Sequence, residues 1–364
     1  VSSSVVARET GDRPQFLHTT CGNRGRSPAW VVAVIASACS APATLEDLKT
    51  AERAEDRGDV AGALAGYRAA QSSCKRVKPA RRAKAACSDA FLGEPGVLVQ
   101  AGKIDDAIAL YLALPGKLPG DPAASSIAIY RAGDLQLRAG HIKDGWTQLW
   151  RVITEWPDEG SGADALGLLV ADGRGRDARA LADQLAALLT SLAETQIADN
   201  LIWALADLYE HELANPSGAR AFYDRIPTEY PTSGMRDDAR WHAARISREI
   251  KDPKGAAARL RALLATREVA LGAGSYFSIW LDDAQLELGK VLRDDLADAA
   301  GAAAAFRQLP EHYPASILKD DALYELAVTL DNAGDHDGAC RALGELAKLS
   351  PDSKYVVRGK ERCP

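Results

Sequence analysis

One spacing recurs along this chain and constrains it more than any other feature. A glycine is followed five positions later by a small residue, four further on by an aromatic or leucine, and often eight beyond that by a proline. The clearest copy is Gly334, Ala339, Leu343 and Pro351. Others are Gly58, Ala63, Tyr67; Gly102, Ala107, Tyr111, Pro119; and Gly140, Gly145, Leu149, Pro157. A weaker one is Gly175, Ala180, Gln184. Three more keep only the second half, behind a different turn: Gly218-Ala219, Tyr223, Ile226, Pro231; Gly255-Ala256, Leu260, Leu263; and Gly301-Ala302, Phe306, Leu309, Pro314. The small residues stand 35 to 46 positions apart, and eight units fill the chain from Thr44 onward.

The spacing has a helical cause. Residues three and four apart share one face of a helix. A small residue lets a second helix lie close against a first, and the ring or leucine one turn on fills the groove beside it. Glycine at the hairpin permits the positive φ that ends the first helix. Proline beyond the second helix stops it and turns the chain into the next unit. One hairpin cannot cover its own apolar face, whereas a stack can. Alanine-leaning hydrophobic residues (47%) with few aromatics (6%) fit short, closely packed helices. No run of alternating β-branched residues suggests a sheet.

Paired helices near a 34-residue period are similar to the tetratricopeptide repeat, or TPR. The expected fold is all-α, a right-handed superhelical solenoid of about eight TPR-like helix–turn–helix repeats. Thr44 with Asp47 resembles a capping box at the first helix. Asp237-Asp238, Asp282-Asp283 and Asp320-Asp321 are expected to cap three later ones, where carboxylates accept free N–H groups.

The first residues carry an address. Arg24 and Arg26 precede the apolar stretch 29–38, and Cys39 follows Ala36-Ser37-Ala38. A basic segment, a short apolar stretch and small residues describe a secretory signal, with a buried N-terminal helix as the other reading. The long polar stretch before Ala29 would fit a start assigned too far upstream. Ala36-Ser37-Ala38-Cys39 resembles the lipobox of bacterial lipoproteins, which implies lipidation at Cys39; plain cleavage is the alternative. The domains expected are 1–38 as a cleaved signal, 39–43 as lipidated N-terminus and tether, 44–192 as four divergent repeats and 193–364 as four further repeats. With Cys21 removed and Cys39 lipidated, four cysteines remain. They fall into local pairs, Cys74 with Cys87 and Cys340 with Cys363, either disulfides in an oxidising compartment or small buried residues.

Tyr230-Pro231-Thr232-Ser233 before Asp237-Asp238-Ala239-Arg240-Trp241, and Tyr313-Pro314-Ala315-Ser316 before Asp320-Asp321-Ala322-Leu323-Tyr324, resemble periplasmic TPR proteins of Gram-negative envelopes. Two such families are the TPR lipoprotein of the β-barrel assembly machinery and the Tol–Pal-associated TPR protein. The resemblance is strongest over about 200–351, and the first four repeats match poorly. It implies an outer-membrane-anchored scaffold on the periplasmic side that binds proteins or peptides through a concave groove lined by first helices. Counted from the aspartate pairs, groove positions fall on Asp238, Trp241, Arg245 and Arg248, and on Tyr324, Val328 and Asp331. In the third unit Tyr130 and Asp134 fall there. Aromatic and charged residues suit a peptide, and the same rings would also serve as packing between units.

Lys75, Arg76, Lys78, Arg81, Arg82 and Lys84 cluster between Cys74 and Cys87. They form either a solvated loop or a contact for an anionic surface such as lipid headgroups. The net charge of −6 argues against nucleic acid as a partner. There is no phosphate loop and no HExxH, and Gly173-Arg174-Gly175-Arg176-Asp177-Ala178 follows no strand. His18, His141, His211, His242, His312 and His336 show no metal-ligand spacing. No enzyme activity, cofactor, metal or small-molecule substrate is expected. The alternatives to a groove-binding scaffold are a subunit of a larger envelope assembly docking by its convex face, and a cytosolic adaptor.

Overall fold

The computed structural model describes residues 43–74, 81–266 and 278–363. They form seventeen helices, with no strand among the described residues. In chain order these are α1 Ala43–Asp56, α2 Val60–Cys74, α3 Arg81–Gln100, α4 Ile104–Lys117, α5 Pro122–Arg138 and α6 Ile142–Glu155. Then come α7 Ser161–Arg174, α8 Ala178–Leu188, α9 Ala198–His211, α10 Pro216–Glu229, α11 Arg236–Glu249 and α12 Pro253–Leu264. The last are α13 Leu281–Lys290, α14 Ala299–His312, α15 Lys319–Asn332, α16 His336–Leu349 and α17 Tyr355–Arg362. Each odd helix from α1 to α15 pairs with the even helix after it, each even helix packs on the odd helix that follows, and successive odd helices from α1 to α9 also touch. Eight hairpins stacked in order, closed by α17, make a TPR-like solenoid of helices, as the repeat predicts.

The recurring spacing acts as expected. Ala63, Ala107, Ala219, Ala256, Ala302 and Ala339 are wholly buried, and Tyr67, Tyr111, Leu149, Tyr223, Leu260, Phe306 and Leu343 one turn on are buried too. Four turn glycines, Gly58, Gly102, Gly140 and Gly334, take φ of +72° to +87°. The hairpins without that glycine keep the same geometry. Ala214, Lys251 and Ala297 take φ of +47°, +65° and +55°, each five residues before the buried alanine. The residue after each is an N-cap. Asn215, Asp252 and Asp298 accept the N–H groups of Gly218, Gly255 and Gly301 at 2.8–3.0 Å. The Gly-Ala doublets therefore mark the cap, where a Cβ on Gly255 would strike the Asp252 carboxylate.

A left-handed conformation costs an L-residue roughly 1–2 kcal/mol, part of which glycine returns as unfolded-state entropy. Lys251→Gly is thus expected to raise stability by up to about 1 kcal/mol, and Gly334→Ala to lower it by about as much. Urea midpoints measure both; destabilisation by Lys251→Gly would contradict the strain.

Three expectations need correction. In the fourth hairpin Gly175 is right-handed (φ −80°) and Asp177 is the cap, accepting from Ala180 N–H. The register moves by one, and the buried pair is Leu181 and Leu185, not Ala180 and Gln184. The aspartate pairs are not caps either. They lie inside the first turns of α11, α13 and α15, whose N-cap residues Met235, Trp280 and Leu318 make no side-chain cap bond. A serine two residues earlier does that work. Ser233, Ser278, Ser316 and Ser353 accept the N–H of Met235, Trp280, Leu318 and Tyr355 at 3.0–3.3 Å. Thr44 sits buried within α1 rather than ahead of it, and Asp47 accepts the Ser73 hydroxyl.

Disulfides join Cys74 to Cys87 and Cys340 to Cys363, tying α2 to α3 and the end of α17 to α16. Among the described residues no helix is long and apolar enough to cross a membrane.

Candidate functional site

The first helices α7, α9, α11, α13, α15 and the terminal α17 form one face, and three kinds of contact run along it. The first is a clasp. Ser316 and Ser353, besides capping their own helices, donate their hydroxyls to Asp282 and Asp320 of the preceding unit at 2.6 Å. The second is a set of rings. Trp241 on α11 stacks on Trp280 before α13 (5.1 Å, 11°), and Tyr324 on α15 stacks on Tyr355 of α17 (4.2 Å, 14°). Asp238 takes the Trp280 indole N–H, and Asp321 takes the Tyr355 hydroxyl at 2.7 Å.

The third is a staircase of ion pairs, each step joining one first helix to the next. Arg174 pairs with Asp207, and Arg245 with Glu210. Arg248 meets Glu287 and Asp295, each at 2.6 Å. Arg293 pairs with Glu325, and Arg362 with Asp331 at 2.8 Å. A π-helical turn, Val291–Asp295, extends α13 and carries Arg293 and Asp295 into these contacts. Exposed ion pairs stabilise little singly; a continuous series fixes how each unit is rotated on its neighbour.

Most residues expected to line a groove are therefore committed within the stack. Asp238, Trp241, Arg245, Arg248, Tyr324 and Asp331 each serve a unit-to-unit contact. Asp134 pairs with Arg138 on its own helix at 2.9 Å. Tyr130 is half-buried beside Asp134 and Asp164, and Val328 is half-buried without a polar role. Cys39, Lys75, Arg76 and Lys78 lie outside the described residues, as do the side chains of Arg81 and Arg82. Lys84 donates to the Gly120 carbonyl at 2.7 Å.

An open cleft on this face lies between α7 and α9. Ala163, Gly167 and Ala171, four apart on α7, form an exposed floor of small residues. Opposite stand Asn200, Trp203, Ala204 and Asp207 of α9, with the Arg174–Asp207 pair at one end. The cleft measures about 500 Å³. It exists because α7 carries Leu166 at the register position where its neighbours carry Tyr130 and Trp203. The Asn200 side chain makes no hydrogen bond among the described residues. A Cβ on Gly167 would meet nothing within 4 Å.

Behind Trp203 lies a buried polar group. The Trp203 edge meets the rings of Tyr223 and His242, which stack on each other at 5.0 Å. His242 Nδ1 faces Glu210 Oε2 at 3.4 Å, both atoms buried and without a hydrogen-bond partner. Burial holds the His242 imidazole below its ordinary pKa; His211 adds to this, while Asp238 and Asp207 oppose it. Glu210 and Arg245 complete the surroundings. Between the depressed folded value and the unfolded value near about 6.5, the unfolded chain binds the extra proton. Stability is full above that range and declines as pH falls through it. His242→Gln is expected to flatten the loss in urea midpoint between about pH 7.5 and 5. An unchanged slope would assign the loss to other groups.

Residues 283–316 and 321–353 match the family model described as tetratricopeptide repeat. These two units are tetratricopeptide repeats. They run from within α13 to Ser316 and from within α15 to Ser353, so each TPR ends on the serine of the clasp. A comparison with curated proteins finds no match. Among solved structures the chain is similar to YrrB, described as a TPR protein with an unusual peptide-binding site (16% identity, 58% of this chain and 97% of that one, TM-score 0.38). It is also similar to the type IV pilus biogenesis factor PilW (14%, 74% and 97%, 0.34) and to PilF of Pseudomonas aeruginosa (12%, 77% and 96%, 0.28). In the TPR register counted from Asp199, α9 places Asn200, Trp203, Asp207 and Glu210 where α11 has Asp238, Trp241, Arg245 and Arg248. That count, carried to the fifth unit, would have found the α9 wall of the cleft.

Proposed function

We propose that this chain is a non-catalytic scaffold that holds an extended segment of a protein partner across its first-helix face, seated between α7 and α9. The observation that carries this is the small-residue floor of Ala163, Gly167 and Ala171 facing the unengaged amide of Asn200. Small residues let a backbone approach, an amide matches a peptide group, and Trp203 offers apolar area at the edge. From α9 to α17 the charged residues of this face are mostly engaged in unit-to-unit pairs, which leaves this cleft to supply the binding energy.

We place the protein on the periplasmic side of the envelope, tethered by lipid at Cys39. The leader-like segment supports this, and two disulfides suit an oxidising compartment. Cys39→Ser would then abolish palmitate labelling and release the protein from membranes; retention of the label would remove the anchor.

A Cβ on Gly167 meets nothing within 4 Å, so Gly167→Trp sends a ring into the cleft and tests the groove. A photo-crosslinker at Ala171 is expected to capture a partner, and Gly167→Trp to reduce capture at least tenfold with an unchanged melting curve. Undiminished capture would refute the groove. A second reading, docking through the second-helix face, draws on a cleft of about 400 Å³ over α13 lined by Arg261, Leu264, Gln308 and Tyr313. A crosslinker at the exposed Ala304 reports on it.

A further inference from the structure

The last hairpin and the terminal helix gather three soft donor groups. His336 opens α16, Cys340 lies one turn further on, and Cys363 follows α17. One ligand atom from each lies within 4.8 Å of the others. Nε2 of His336 stands 3.6 Å from Sγ of Cys340. Nitrogen and sulfur ligands of a tetrahedral zinc ion, bound at about 2.0 and 2.3 Å, stand about 3.5 Å apart. His336 and Cys340 are thus already at chelating separation, a consequence of their i, i+4 spacing on one helix face.

The imidazole is also oriented. Its Nδ1 lies 2.9 Å from Oδ1 of Asp331, and Oδ2 of Asp331 is held by Arg362 at 2.8 Å. A carboxylate on one ring nitrogen fixes the tautomer and leaves the other lone pair directed at the sulfurs, the usual outer arrangement of a metal-bound histidine. While Cys340 and Cys363 are joined, their sulfurs carry no proton to offer that lone pair. His336 is exposed and both cysteines are half-buried, so small reagents reach the group.

We propose that His336, Cys340 and Cys363 form a redox-gated site for a soft divalent ion of the zinc type, closed by the disulfide and opened by a dithiol reductant. The reductant gives two electrons and two protons; the S–S bond breaks, two S–H bonds form, and the reductant's own sulfurs join. The ion then forms two metal–sulfur bonds and one metal–nitrogen bond, and the two thiol protons leave to solvent. A fourth position is left for water. In either state α17 stays fastened to α16. The single-sequence view of scattered histidines missed the group because Cys363 reaches it only through the packing of α17. The inference is independent of the α7–α9 cleft.

Cobalt(II) titration of the full chain tests it, with Cys74→Ser and Cys87→Ser removing the other pair. The reduced protein is expected to take up one equivalent, with sulfur-to-cobalt charge-transfer absorption and tetrahedral visible bands that zinc displaces. The oxidised protein should show neither. His336→Ala is expected to weaken binding tenfold or more, and Asp331→Asn by about 10–100-fold. If removing Cys74 and Cys87 prevents folding, the reduced parent chain is compared with Cys340→Ser, which should lose the charge-transfer band. Absence of the band on reduction, or a band unchanged in His336→Ala or Cys340→Ser, overturns the proposal.

Discussion

Phe306→Ala is expected to cost about 3–5 kcal/mol, among the largest losses any single truncation would bring in this chain. The ring is wholly buried between α13 and α14. It sits where a Cβ on Gly289 would stand, and the Arg293 guanidinium covers it at 5.5 Å. Truncation leaves a cavity that two stacked helices cannot easily collapse. Entering the same contact from the other side, Gly289→Ala is expected to cost about 1–3 kcal/mol by overpacking. In the Phe306→Ala background the added methyl has room, so its penalty should largely vanish. Urea midpoints of the four proteins give the coupling. A Gly289→Ala penalty equal in both backgrounds would show that the close approach is not its cause.

Trp241→Ala is expected to cost about 2–3 kcal/mol through lost area and ring stacking. It should also divide the unfolding transition. In a linear stack, stability is shared between units and their interfaces, and a weakened interface uncouples the two sides. Trp241 and Trp280 stack across the α11–α13 interface, beside the Arg248 pairs. Tyr324→Ala removes a similar stack at the end of the array, so only α17 should loosen. Calorimetry distinguishes the two, because a divided transition has a van't Hoff enthalpy below the calorimetric one. A single transition in Trp241→Ala with the parent's enthalpy ratio would defeat the idea.

The hairpins were legible because their cause is local. Gly58, Gly102, Gly140 and Gly334 announce a positive φ, and a buried alanine five residues later announces the partner helix. Ala214, Lys251 and Ala297 hold the same φ without the residue that advertises it, so those units were visible only through their second helices. The aspartate pairs misled for a related reason. Whether a carboxylate caps a helix depends on whether its own backbone lies just outside the first turn, and one residue of displacement turns a cap into a partner for the next unit. Contacts such as Arg248 with Glu287 join residues 39 positions apart, which local periodicity does not pair. The cleft is harder still, since its floor consists of small side chains on α7, a helix the aspartate count never reached.

The staircase of charges along the first helices also restricts how this array can change. Arg174 meets Asp207, but two units on, the same position of α11 is occupied by Arg245. Excising the fifth hairpin would therefore set one guanidinium against another across the new junction. Arrays assembled from interchangeable copies lengthen and shorten by recombination without such penalties. In this one, the fourth unit accepts the fifth and opposes the sixth, so part of the order of modules is written into side chains as well as into the chain itself.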